Sequence, residues 1–148
     1  MFRSFCFLLL LSGVAMAGDA APVKVLKPWV RAVPPSMTDS AAYMRLQNTG
    51  DTPLRLTGAT TPLAGMAMPM ITTHTIIQGV EALGMKGVDY LEIPAHGALV
   101  LKPGGNHLML MNLTHHPKIG EQVTLTLDFE PGHRKLTVTM PALMDAVP

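Results

Sequence analysis

The strictest constraint on this chain lies near its C-terminal end. Residues 123–129 (VTLTLDF) and 136–140 (LTVTM) alternate apolar and polar side chains with period two. That period marks a half-buried β-strand, because successive side chains leave a strand on opposite faces. Residues 41–47, 54–59 and 98–101 read as further short strands. Turn-forming residues punctuate the chain between them, at Pro34 and Pro35, Asn48 to Asp51, Pro62, Gly79, Pro94, Lys102 to Gly105, Pro117, Gly120, and Pro131 with Gly132. No stretch keeps a 3.6-residue period beyond a turn or two, so no long helix is expected. Several short strands at regular spacing predict an all-β single domain, a sandwich or a barrel. Its core is aliphatic, since aromatic residues are only 5% of the chain.

Residues 1–17 have the layout of a secretory signal peptide. Arg3 precedes an apolar run that ends near Val14, and Ala15-Met16-Ala17 supplies a small-x-small cleavage site. The run is shorter than the ~20 residues a membrane span needs. No second stretch reaches that length, so no stable membrane insertion is expected after cleavage. Cys6 lies inside the apolar run, too early to carry a lipid on the mature chain. The mature domain, residues 18–148, then contains no cysteine, which excludes a disulfide framework and thiolate metal clusters. A thiol-free exported domain suits an oxidising compartment, and the periplasm is the expected location. The high hydrophobic share, 48%, and the low charged share, 14%, exclude intrinsic disorder. Basic and acidic residues nearly balance, 11 against 10, which leaves no basic excess to hold a nucleic acid.

Methionine is the compositional outlier, with 12 in 148 residues. Met44 and Met140 fall in strand-like runs and read as flexible core filling. The run His107-Leu108-Met109-Leu110-Met111 is different. In an extended segment His107, Met109 and Met111 share one face, while Leu108 and Leu110 take the other. An imidazole and a thioether on one face are soft donors suited to Cu(I) rather than to hard ions. The loop from Lys102 to Asn106 would set His107 at the rim of the domain. From this segment alone, a soft-metal site and a buried methionine pair beside a surface histidine remain equal alternatives. His74, in a polar-then-apolar run, and Met85, in a glycine-flanked turn-like segment, would attract no notice singly.

The order is His74, ten residues, Met85, twenty-one residues, His107, one residue, Met109. This resembles the His-x10-Met-x21-His-x-Met signature of the PCu(A)C-type periplasmic copper chaperones. Residues 91–95 (LEIPA), 101–105 (LKPGG) and 107–113 (HLMLMNL) are similar to that family's characteristic stretches, and residues 41–44 and 123–129 to its flanking strands. The similarity runs over residues 29–141. It implies a cupredoxin-like β-sandwich that carries one Cu(I) on His74, Met85, His107 and Met109. It also implies a task, holding exported copper and handing it to an acceptor, typically the copper-containing subunit of a respiratory oxidase, with other copper chaperones as further partners. The chain is expected to act as a monomer and not as an enzyme.

This sequence departs from the family pattern in places. Thr75 and Ile76 stand where the family often has a methionine, and Leu83-Gly84-Met85 where it often reads Met-Lys-Met. The run before His74 holds three thioethers at alternate positions, Met66, Met68 and Met70. We read it as a hydrophobic loop packed on the sandwich rather than an auxiliary copper arm, because no histidine accompanies it. His96, His133 and the pair His115-His116 read as solvated surface residues. A blue-copper electron carrier would need a cysteine thiolate, which the mature chain lacks. Zinc hydrolysis has no His-Glu-x-x-His, and a hydrolase triad has no Gly-x-Ser-x-Gly. Copper buffering or resistance, and a metal-free adaptor with a methionine-rich binding face, are the alternative functions.

Overall fold

A computed structural model describes residues 21–145; the expected signal segment and Cys6 lie outside the described residues. Ten strands are described: β1 (Val23–Arg31), β2 (Ser40–Asn48), β3 (Leu54–Thr60), β4 (Ala64–Ile77), β5 (Val80–Gly87), β6 (Leu91–Ile93), β7 (Ala98–Leu101), β8 (His107–Leu113), β9 (Gln122–Glu130) and β10 (Arg134–Leu143). They hydrogen-bond in the order β5-β4-β8-β2-β1-β10-β9-β3-β6, with β7 also paired to β2. A further pairing of β3 with β4, Ala59 opposite Ala67, links the second strand from each end of this path. The result is an all-β, sandwich-like sheet folded round one main core, with a small second cluster of Trp29, Ala41 and Tyr43, as the period-two pattern predicts.

Alternation explains which side chains fill that core. In β8, Leu108 and Leu110 are fully buried while Met109 and Met111 are half-exposed on the other face. In β9, Val123, Leu125, Leu127 and Phe129 point inward and the intervening Thr and Asp side chains outward. They meet Leu46, Leu54, Leu56, Ile93 and Met140 in a continuous apolar cluster. Burying side chains of this size stabilises by roughly 1.5–3 kcal/mol each. The turn after β2 is held by a buried amide. Asn48 donates to the carbonyls of Thr52 (2.8 Å) and Ile93 (3.2 Å) and accepts from the Gly50 N–H (2.9 Å). Among the described residues no buried side-chain polar atom is left without a partner.

Two sequence expectations need correction here. The run with Met66, Met68 and Met70 is not a loop but the first half of β4. Its alternation of large and small residues is a period-two strand pattern, with Ala67 and Pro69 buried. Pro69 weakens the strand signal because it lacks an N–H. It sits at the junction where β4 begins to pair with β5, and its carbonyl accepts the Val88 N–H (3.1 Å). Met85 likewise lies within β5, opposite Thr72, and not in a turn. The turn is at Gln78 and Gly79, both with positive φ (51° and 77°), between the paired Ile77 and Val80. That is the two-residue geometry whose twist matches a β-hairpin. The outer parts of β4 and β5 form an arm that leaves the sandwich. From His74 through Glu81 every residue is exposed, so both faces meet solvent.

Candidate metal-binding site

The site is built on the outer face of β8, β4 and β5. Directly paired residues share a face, and the register places Met68 opposite Met109, Met70 opposite His107 and Thr72 opposite Met85. His74 lies one step further along the same face of β4, opposite Leu83 and diagonal to Met85. All four sequence-derived candidates therefore face one way. Met85, His107 and Met109 line one open cavity of about 490 Å³, together with Thr72, Tyr43 and Arg31. His74 is not part of that lining and sits outward on the arm.

His107 is held tightly. It is 6% exposed, wedged at the end of β8 beside the Tyr43 ring, whose centroid lies 6.3 Å from its own. The tight loop before it closes through Lys102 N–H to the Asn106 carbonyl (2.9 Å) and Gly105 N–H to the Lys102 carbonyl (3.0 Å). Gly104 takes φ 75°, a backbone state that favours glycine. The loop presents the Gly105 carbonyl to the ring, and His107 Nδ1 donates to it at 3.0 Å. A carbonyl can only accept, so Nδ1 carries the proton, and in the neutral ring Nε2 is the nitrogen with the lone pair. Thr72 Oγ1 donates to the same carbonyl at 3.1 Å, tying β4 to the loop. On the arm His74 Nδ1 meets Glu81 Oε1 at 2.7 Å, which again leaves Nε2 outward. Metal-ligating histidines commonly have one ring nitrogen tied to a carboxylate or a carbonyl in this manner.

The sulfur donors have the complementary property of adaptability. Met85 is 59% exposed and Met109 half-buried, and both have three rotatable side-chain bonds. Two imidazoles and two thioethers form a neutral, soft donor set that fits Cu(I) better than a hard dication. Among the described residues no three His, Cys, Asp or Glu side chains gather.

Several contributing residues carry no signal in the spacing motif. Trp29 stacks tilted on Tyr43 at 4.6 Å, and the Arg31 guanidinium lies 5.6 Å from the Tyr43 centroid. This aromatic wall closes the β2 side of His107. The alternation of Ala41 and Tyr43 along their strand was the available sign. Thr72 and Glu81 were findable only with the hairpin register in hand. The remaining histidines serve elsewhere. His96 pairs with Asp51 (2.6 Å), His133 with Glu130 and His115 with Glu121, all on exposed imidazoles. His116 is half-buried rather than solvated, and its Nε2 donates to the Met37 carbonyl (2.8 Å). His115 and His116 thus diverge, as adjacent strand-like side chains should.

Comparison with known proteins bears on this geometry. A family model described as "LpqE-like: Putative lipoprotein LpqE-like" matches residues 23–142. The chain is 36% identical over 114 residues to "Putative lipoprotein Lxx21020" of Leifsonia xyli subsp. xyli, covering 77% of this chain and 66% of that relative's length. Among solved structures, the Cu(I) form of DR1885 from Deinococcus radiodurans is 45% identical with a TM-score of 0.65, covering 86% of this chain and 82% of that one. The apo form is 40% identical with a TM-score of 0.61, covering 98% and 97%. The copper-bound PCuAC domain from PmoF2 has a TM-score of 0.66 at 23% identity, covering 83% and 93%, and bears on the fold alone.

Proposed function

Since the chain belongs to the LpqE-like family and shares the PCuAC fold, we propose that it binds one Cu(I) tightly through His74, Met85, His107 and Met109. The observation that carries this reading is the gathering of Met85, His107 and Met109 round one open cavity, with the His107 Nε2 lone pair freed by the bond to Gly105. The 45% identical DR1885 structure in its Cu(I) form supports the choice of metal. His74 stands on the arm and joins the other three when the arm closes over the ion.

The task is ligand exchange rather than catalysis. Imidazole and thioether donors hold Cu(I) yet release it to a stronger or chelating set, and they do not oxidise to disulfides as thiols would. His74 lies on an arm exposed on both faces and Met85 is 59% exposed beside it, so an incoming protein can replace them stepwise. That exposure favours delivery over buffering. The acceptor is a copper-binding protein, in our reading the copper-containing subunit of a respiratory oxidase, and the chaperone acts as a monomer. The periplasm is the proposed site of action, after cleavage following Ala17. Lipid anchoring, which the names of the relatives suggest, would need a cysteine other than Cys6.

The test is an anaerobic Cu(I) competition titration of residues 18–148 against a chromophoric chelator, followed by mixing with apo oxidase subunit. The parent should compete for one equivalent and lose it to the subunit. His107→Ala and Met109→Leu should each weaken binding while retaining the β-sheet circular dichroism spectrum. Unchanged binding in both variants would overturn the assignment. Binding without transfer would leave buffering as the function.

A further inference from the structure

The outer face carries more thioethers than the four-residue site uses. Met66 lies opposite Met111, and Met68 opposite Met109, on adjacent rungs of the β4–β8 ladder. Met70 follows on the next rung. Met68 therefore has Met66 and Met70 two residues away along its own strand, Met109 directly across and Met111 on the diagonal. Directly opposed Cβ atoms in an antiparallel pair are ~4.5–5.5 Å apart, and diagonal ones remain within reach of long side chains.

Core packing does not account for this group. The core-filling methionines of this chain are sealed, Met44 at 2% and Met140 at 0% exposure. Met66 is 53% exposed, and Met68, Met70 and Met111 are half-exposed. The neighbouring strand leaves this face open. Gly87 has no side chain, and a Cβ there would meet Met68 Cε at 2.5 Å, with the sulfurs of Met70 and Met68 at 3.5 and 3.7 Å. Two thioether sulfurs thus converge above bare backbone, and that space exists because residue 87 is glycine. An unbranched thioether with three rotatable bonds can turn its sulfur toward a common centre.

We propose that Met66, Met68, Met70 and Met111 form a second soft-metal site, centred on Met68, that takes a monovalent d10 cation, Cu(I) or Ag(I), through thioether sulfur alone. It rests on the reading of the neighbouring site only for its role, as an entry station. Met109 stands between the two, across from Met68 and two residues from His107. An ion on the thioether ladder therefore has a shared donor on the way to the imidazole site. With no imidazole of its own, the ladder binds more weakly and fills second.

The experiment is an anaerobic titration with Cu(I), read by stoichiometry and by the ε-methyl NMR signals of 13C-labelled methionine. The parent should bind two equivalents, the second shifting Met66, Met68, Met70 and Met111. The triple variant Met66→Leu, Met68→Leu, Met111→Leu conserves side-chain volume and should keep the fold. It should bind one equivalent, with the Met85 and Met109 shifts of the first retained. A variant lacking the neighbouring site, His74→Ala with Met85→Leu and His107→Ala, should still take up one equivalent and shift Met66, Met68, Met70 and Met111. A parent that binds a single equivalent, or a triple variant that still binds two, would overturn the ladder site whatever the fate of the four-residue one. If the four-residue assignment alone is wrong, its variant keeps both equivalents and the triple variant still loses one.

Discussion

Glu81 offers the most discriminating perturbation of the four-residue site, because it touches no metal in this account. Its carboxylate accepts the His74 Nδ1 proton at 2.7 Å and so fixes which nitrogen faces outward. Outer carboxylates of this kind typically contribute 10- to 100-fold to metal affinity. Here the side chains of His74 and Glu81 are 62% and 63% exposed, so water competes for the bond and the lower limit applies. Glu81→Ala should then weaken Cu(I) binding about tenfold, about 1.4 kcal/mol. The same substitution should change fold stability by no more than ~1 kcal/mol, since exposed pairs contribute little. Chelator competition gives the affinity and urea unfolding of the apo protein gives the stability. The double variant closes the argument: in a His74→Ala background, Glu81→Ala should have no further effect on affinity. An unchanged affinity in the single variant, or an equal loss in the His74→Ala background, would refute the positioning role.

Three other outcomes follow from the structure. Leu108 is fully buried on the core side of β8 while its neighbours His107 and Met109 face the proposed site, so Leu108→Ala should cost ~2–5 kcal/mol in urea unfolding. Gly79 takes φ 77° at the arm's turn, and Gly79→Val should cost the arm ~1–2 kcal/mol of local stability. Faster amide exchange confined to β4 and β5, with weaker Cu(I) binding, is the expected sign. The Lys118 N–H, and after it His115, hold the Glu121 carboxyl below its ordinary value of 4.5. A depressed carboxyl stabilises above the unfolded value and loses that contribution as pH falls through the folded one. Glu121→Gln should therefore narrow the stability difference between pH 5 and strongly acidic solution.

Where residues repeat on a simple period, the sequence is read directly. The alternation in β9 and β10 marks both strands, and the same rule applied to residues 107–111 separates Met109 and Met111 from Leu108 and Leu110. What hides the rest is local chemistry that breaks the period. Pro69 disguises β4, and Gly84 and Gly87 make β5 resemble a turn. In β1 a register shift between Leu26 and Trp29, with Lys27 at φ 48°, spoils the alternation that would announce a strand. The link from Glu81 to His74 depends on the β4–β5 hairpin register and that from Thr72 to Gly105 on the pairing of β4 with β8, which no single-strand pattern encodes. The histidine missing from the thioether run was also a matter of register. None lies within the run itself, yet His107 stands directly across from Met70.

The most direct test of the central claim is X-ray absorption at the copper edge on protein loaded with one equivalent of Cu(I). Two nitrogen and two sulfur neighbours, with imidazole outer-shell scattering from both rings, are the predicted result. A first equivalent held by sulfur alone, with no imidazole scattering, would place the copper on the thioether ladder and contradict the assignment to His74, Met85, His107 and Met109.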